Sequence, residues 1–234
     1  MSFRARASAV VLTTAAACLL LAPAAMASSH GPVQVTGKQL KGALLPASDF
    51  VAGYVASNEA DSGSKLEHGR LFNVSSMSCA RFWTVAGSTQ GFGETAFATD
   101  LVDSDGHVAS VYEVFDQTVY QFASTRAAAS FYGPLNAKYR SCRSVSLPDG
   151  AGGTVRLTVH SESKQRVGGH QALRLVEYAS DSTINISSLS TDVLWTIDGA
   201  DVYLIDTTVL DNTSPKPTQA SLTLKLIARV SALR

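Results

Sequence analysis

Tyr112 to Phe122 reads YEVFDQTVYQF, and Ala123 to Cys142 continues it as ASTRAAASFYGPLNAKYRSC. The first part is rich in β-branched and aromatic residues, which predicts a strand. In the second, Ser124 is a good helix cap, and Ala128, Phe131, Leu135 and Tyr139 recur three and four residues apart. That spacing predicts an amphipathic helix laid back on the sheet. Gly133-Pro134 interrupts it, and a proline in mid-helix loses a hydrogen bond and costs about 3 kcal/mol. The expectation is a kink, or two short helices with Pro134 opening the second. The stretch closes on Cys142. A strand, a helix and a covalent staple make a scaffold rather than an active site.

Upstream, Glu94 to Val102 alternates like a strand, and Asp103-Ser104-Asp105-Gly106 is a strong turn signal. With Val108 to Phe122 it predicts a hairpin. Phe82-Trp83-Thr84-Val85, just beyond Cys79, has β texture, and the polar run 58–70 reads as an exposed loop. Thr36 caps a short helix from Gly37 to Leu45, with Leu40, Leu44 and Leu45 on one side and Pro46 ending it. Downstream, strands are expected over Gly153–Ser161, His170–Ala179, Ile184–Leu194 and Val202–Leu210. Gly168-Gly169, Asp181-Ser182 and Asp198-Gly199 supply the turns between them. After Pro215 and Pro217, Thr218 leads a last helix with Leu222, Leu226, Val230 and Leu233 as its buried stripe. Short strands joined by tight turns pair antiparallel. The class is therefore α+β, a mainly antiparallel sheet with helices packed on one face.

The first residues read as a targeting segment. Arg4 and Arg6 form a basic start, Ala7 to Leu21 is mostly apolar, and Ala25-Met26-Ala27 has the small-x-small pattern of a cleavage site. A signal peptide over 1–27 and a single domain over 28–234 are expected. Cys18 lies inside the apolar run, where a lipid-anchor cysteine would not sit, so it is expected to leave with the leader. No later run is long enough to span a bilayer. The expected mature chain begins at Ser28, without lipid, secreted or associated with the cell envelope. Lys plus Arg and Asp plus Glu each number 19, so no basic footprint for nucleic acid or polybasic membrane patch is present. Cys79 and Cys142 remain, an even pair in an oxidising compartment, and neither has a CxxC or HxxxH companion for a metal. A disulfide between them is expected.

Motifs of catalysis and cofactor binding are weak. Gly91-Phe92-Gly93-Glu94-Thr95-Ala96 spells GxGxxA, but strand-like alternation follows where a helix should. Ser62 to Lys65 and Ser161 to Lys164 both spell SxxK, yet neither opens a convincing helix and no SDN or KTG accompanies them. Asp103-x-Asp105-Gly106 starts like a calcium loop without its later ligands. The histidines are scattered, GxSxG is absent, and His160 or His170 could only join a serine and an acid in space. Asn73, Asn185 and Asn212 begin N-x-S/T sequons. No cofactor, metal site or catalytic residue is assigned.

Leu44-Leu45-Pro46, Asp49-Phe50 and Gly53-Tyr54, together with Val119-Tyr120-Gln121-Phe122, Ala127-Ala128-Ala129, Phe131-Tyr132 and Cys142, resemble the PknH-like extracellular sensor domains of actinobacteria. The resemblance runs from about Gly37 to the C-terminus. It implies a curved, largely antiparallel sheet with helices on one side and a cleft for a ligand. Members occur as kinase ectodomains and as free-standing exported or lipid-anchored proteins. This chain has one cysteine pair where the kinase ectodomain has two, and no ligand residue can be carried over. The expected function is a secreted, non-catalytic sensor or ligand-binding module for an apolar or cell-envelope molecule. Phe97, Tyr112, Phe115, Tyr120, Trp195 and Tyr203 are candidates to line an apolar groove. The alternatives are a secreted hydrolase assembled from distant residues and an envelope-associated interaction protein with a flat apolar patch.

Overall fold

The computed structural model describes residues 33–50, 54–56, 61–64, 73–86, 92–103, 113–148, 152–181, 186–210 and 218–234. The expected signal peptide, Tyr112, the turn residues 104–106, Gly91, Lys65, most of the loop 58–70 and the sequons at Asn185 and Asn212 lie outside the described residues.

The chain runs α1 (Gly37–Ala43), β1 (Val55–Ala56), β2 (Asp61–Ser64), α2 (Cys79–Ala86), β3 (Glu94–Asp103), β4 (Glu113–Phe122) and α3 (Thr125–Ser141). It continues with β5 (Ser144–Pro148), β6 (Thr154–Val167), β7 (His170–Asp181), β8 (Ile186–Asp198), β9 (Asp201–Leu210) and α4 (Gln219–Ser231). The strands form one open sheet in the order β1-β3-β4-β9-β8-β7-β6-β5, with β2 also on β3. All of the pairings are antiparallel. Register shifts at Glu94/Ala96, Val159/Ser161 and Ala179/Asp181 add the local twist and bend that bulges bring.

The topology explains the length of α3. The chain leaves β4 in mid-sheet and must re-enter at β5, the far edge, across β9, β8, β7 and β6. Five strand spacings are ~24 Å, and a helix of 17 residues spans ~25 Å. Ser124 caps it by accepting from the Ala127 amide at 3.1 Å. Ala128, Phe131, Leu135 and Tyr139 are buried as the stripe requires. Contrary to the expected break, the helix runs on through Pro134. Gly133 offers no Cβ to the proline ring, which removes the usual clash with the preceding residue. The carbonyl that Pro134 cannot serve belongs to exposed Ser130, where water can reach it.

The helices do not share one face of the sheet, which corrects the expected layering. On β4, Tyr120 and Phe122 point into a core with Phe82 and Trp83 of α2 and Phe131, Leu135 and Tyr139 of α3. Phe115 and Val119 point the other way, into a core with Leu40 of α1 and Leu222, Leu226 and Val230 of α4. β9 divides likewise, Val202 and Leu204 against Tyr203 and Ile205. The reason is visible in the residues: both alternating sets on these central strands are apolar, as in sheets covered twice. Burying each such side chain stabilises by roughly 1.5–3 kcal/mol.

α2 is also a helix where β texture suggested a strand. Cys79, Phe82 and Trp83 fall at helical spacing, and Ser78 Oγ accepts from the Arg81 amide at 3.2 Å, a cap that outweighs the strand propensity of the aromatics. Cys79 and Cys142 are bonded, S–S 2.08 Å, so the start of α2 is tied to the end of α3. The Trp83 indole N–H donates to the Cys142 carbonyl at 2.9 Å, and Phe82 packs edge-on to Tyr139 with centroids 4.8 Å apart.

Two buried glutamines of β4 hold the N-terminal segment. Gln117 accepts from the Leu45 amide at 2.8 Å and donates to the Leu45 carbonyl at 2.8 Å. Gln121 accepts from the Val35 amide at 2.8 Å. Thr36 and Gln39 close α1 with a capping box. Because Gln117 satisfies both polar groups of Leu45, Gln117→Leu should destabilise by about 2 kcal/mol through two unpaired backbone groups. A denaturant midpoint unchanged from the parent would contradict this.

Candidate ligand-binding cleft

The aromatic residues expected to line a groove do not do so. Phe97, Tyr120 and Trp195 are buried in the core beneath α2 and α3, and Phe115 and Tyr203 are buried in the core on the opposite face. They fill two interiors, because each belongs to a strand whose two faces are both covered. Phe131 gathers Phe92, Phe122 and Trp195 at centroid distances of 4.7, 5.4 and 5.8 Å. A shallow hollow of about 300 Å³ touches this cluster from outside, between Asn73, Val74 and Gly93 and the helix residues Ala127 and Ser130.

A cleft does open beside that core, along the flank of α3. Thr125, Ala129, Tyr132, Gly133 and Asn136 form a helical row next to the buried stripe. Facing it are Lys164, Gln165 and Arg166 of β6, and His170, Gln171, Ala172 and Leu173 of β7. Ile197, Asp198 and Gly199 close the end. Two adjoining hollows of about 440 and 420 Å³ share Tyr132, Gly133, Arg166 and Gln171. Gly168 and Gly169, at φ 57° and 91°, make the two-residue hairpin turn that needs left-handed backbone at both positions. This turn returns β7 beside β6 and so sets the spacing of the polar residues on that wall.

The cleft is of mixed chemistry. Tyr132 and Leu173 supply apolar surface, and Asn136, Lys164, Arg166 and Gln171 supply polar groups. Burial pushes the Tyr132 hydroxyl up to about 12, so it stays a neutral donor and acceptor. Arg166 Nη1 donates to the Gly169 carbonyl at 2.6 Å. His170 Nδ1 lies 3.3 Å from Asp198 Oδ1. Among the described residues, no serine hydroxyl is hydrogen-bonded to His170 or His160, and His160 packs edge-on to Tyr178. The Ser161–Lys164 motif lies in β6 and Ser62–Ser64 in β2, so neither serine opens a helix. Gly93 to Ala96 leads into β3, as the alternation suggested. Asn73 is exposed and its side chain accepts from the Ser75 amide at 3.1 Å. Among the described residues, no group of three or more His, Cys, Asp or Glu could hold a metal ion.

A second group on the α3 face of the sheet was not legible beforehand. Asp116 and Asp206 are directly paired across β4 and β9. Thr99 and Thr118 hydroxyls donate to Asp116 Oδ1 at 3.2 and 3.3 Å. Glu177 of β7 is on the same face, and its Oε1 is buried without a hydrogen-bond partner. Burial, opposed by the two threonines and reinforced by Asp100, pushes Asp116 up to about 6. Burial alone pushes Glu177 up to about 8. Burial, then Asp116 and Glu177, hold Asp206 well above the usual carboxylate range. Each of these acids therefore holds its proton to a higher pH than an exposed carboxyl does.

No protein-family model matches the sequence, and no curated protein matches it. The fold is similar to that of the extracellular domain of PknH from Mycobacterium tuberculosis, at 14% identity and a TM-score of 0.57. The match covers 85% of this chain and 97% of that one. The chain is thus related to PknH-like domains at the level of fold, as its strand, Ala/Phe-rich helix and closing cysteine indicated.

Proposed function

We propose that this protein is an exported, non-catalytic ligand-binding domain of the sensor type, acting outside the cell or in its envelope. The observation that carries the reading is the cleft along α3, about 440 Å³ and open to a further 420 Å³. Pockets for small molecules have this size, apolar walls and a few convergent polar groups. The fold shared with an extracellular domain, the leader-like residues 1–27 and the Cys79–Cys142 bond support export. The ligand is amphipathic rather than purely apolar, since the large aromatics lie in the cores and the cleft wall carries Lys164, Arg166 and Gln171.

Gln171 lines both hollows and is exposed, so Gln171→Trp fills the cleft without disturbing either core. With isotope-labelled protein and a set of neutral ring-sized fragments, amide shifts should cluster at Tyr132, Ala172 and Leu173. The tryptophan variant should weaken that binding by about tenfold or more. Shifts scattered over the surface, or binding unaffected by Gln171→Trp, would overturn the reading. A hydrolase would show turnover of ester substrates that His170→Ala removes, because His170 lines the cleft with Asp198 Oδ1 3.3 Å from its Nδ1.

A further inference from the structure

The cleft as a ligand site is the premise from which its charge becomes informative. Several basic side chains of the fold are matched by acids. Arg140 pairs with Glu162, Arg174 with Asp192, Lys225 with Asp49 and Arg234 with Asp201. Lys164 and Arg166 differ. They are two residues apart on β6, so their side chains leave the same face of the strand. Both line the larger hollow, whose wall holds no aspartate or glutamate. Among the described residues neither has a carboxylate within ion-pair distance. The nearest acid along the strand on that face, Glu162, is taken by Arg140. Asp198, in the adjoining hollow that Arg166 also lines, lies 3.3 Å from His170 Nδ1 and makes no ion pair with Arg166. Arg166 uses one N–H on the Gly169 carbonyl, which steadies the guanidinium and leaves other donors of its fork for a ligand.

Two like charges side by side on one strand face repel each other. A ligand anion between them would reverse that repulsion, and a planar or tetrahedral oxyanion matches the guanidinium fork. Tyr132 and Leu173 on the cleft wall can hold a ring, and Gln171 and Asn136 can hydrogen-bond its substituents. We propose that Lys164 and Arg166 are the anion-binding end of this cleft, which takes a phosphate, sulfate or carboxylate carried on a ring-sized body. The shared chemistry is the anionic group, whether it arrives on a free solute or on a lipid headgroup.

The test uses the full mature chain and two probes of matched size, phenyl phosphate and benzyl alcohol, followed by amide shifts and titration. Phenyl phosphate should bind at the cleft, and Lys164→Gln/Arg166→Gln should weaken it by about tenfold or more. Benzyl alcohol should bind the parent and the double variant alike. Raising salt from about 20 to about 200 mM should weaken only phenyl phosphate. Lys164→Gln alone leaves the Arg166–Gly169 hydrogen bond in place, and should give a smaller loss of the same kind. Co-sedimentation with phosphatidylglycerol vesicles separates the sources. Binding lost in the double variant supports a headgroup, and absence of binding with phenyl phosphate still bound supports a free solute. Equal affinity of parent and double variant for phenyl phosphate overturns the anion site while benzyl alcohol in the cleft keeps the binding reading. No shift at the cleft with either probe overturns both.

Discussion

Replacing both cysteines, Cys79→Ala/Cys142→Ala, should lower the unfolding free energy by about 4 kcal/mol, the chain-entropy value for a loop of this span. The two are 63 residues apart in sequence, and the bond closes a segment that includes α2, β3, β4 and α3. It also fixes the end of α3, where Trp83 meets the Cys142 carbonyl and Tyr139 lies between Phe82 and Trp83. Equilibrium unfolding by denaturant, followed by the fluorescence of buried Trp83 and Trp195, measures the loss. Peptide mapping without reductant should recover Cys79 and Cys142 in one linked fragment. Two free thiols in exported protein, or a variant as stable as the parent, would refute the expectation.

Stability should also fall as pH rises from about 5 to about 9, by roughly 4 kcal/mol. The sign follows from the carboxyls on the sheet. Glu177 is pushed up to about 8 and Asp116 to about 6, both above their values in the unfolded chain. The folded state therefore binds more protons through this range. Its advantage is complete below the unfolded pKa values and is lost as pH passes 6 and then 8. The roughly 4 kcal/mol is less than the sum of both shifts, because neither side chain is fully shielded from water and Asp116 titrates beside Asp206. Glu177→Gln should make the decline smaller and be more stable than the parent at pH 8, leaving the remainder to Asp116 and Asp206. Unfolding curves at several pH values decide it, and a flat profile for the parent would defeat it.

Much of the scaffold was readable because its signals are local. The stripe Ala128, Phe131, Leu135, Tyr139 marks a helix wherever it occurs, and the Gly168-Gly169 pair marks a hairpin. The Thr36 and Thr218 caps were equally plain. α2 was missed because Phe82, Trp83, Thr84 and Val85 favour strands in isolation, which masked the local cap at Ser78, while its bond to Cys142 comes from elsewhere. The short strands β1, β2 and β5 form only because neighbours present edges to them. The two-sided burial of β4 was hidden for a related reason. Its apolar residues on both faces were read as a groove, and no local pattern distinguishes a groove from a second core. The cleft was less legible still. Lys164, Arg166 and Gln171 look like ordinary exposed strand residues, and they become a wall only when α3 crosses the sheet above them. The acids Asp116, Asp206 and Glu177 come from three strands and meet by register alone.

The position of β9 between β4 and β8 also bears on how the molecule comes to be folded. Glu113 pairs with Val209 and Gln121 with Asp201, partners 96 and 80 residues apart in sequence. Until residues beyond 200 are available, the N-terminal hairpin β3–β4 has an open edge at β4, and one of its apolar faces lacks the cover of α4. Such non-local pairing makes folding slow relative to helical proteins, and an open edge invites pairing with other chains. A chain threaded through a membrane from its N-terminus would meet this interval on the far side, with half a sheet waiting for its central strand. The Cys79–Cys142 disulfide closes before β9 in sequence and can form during that wait. It would hold α2, the hairpin and α3 together as a nucleus onto which β9 later docks.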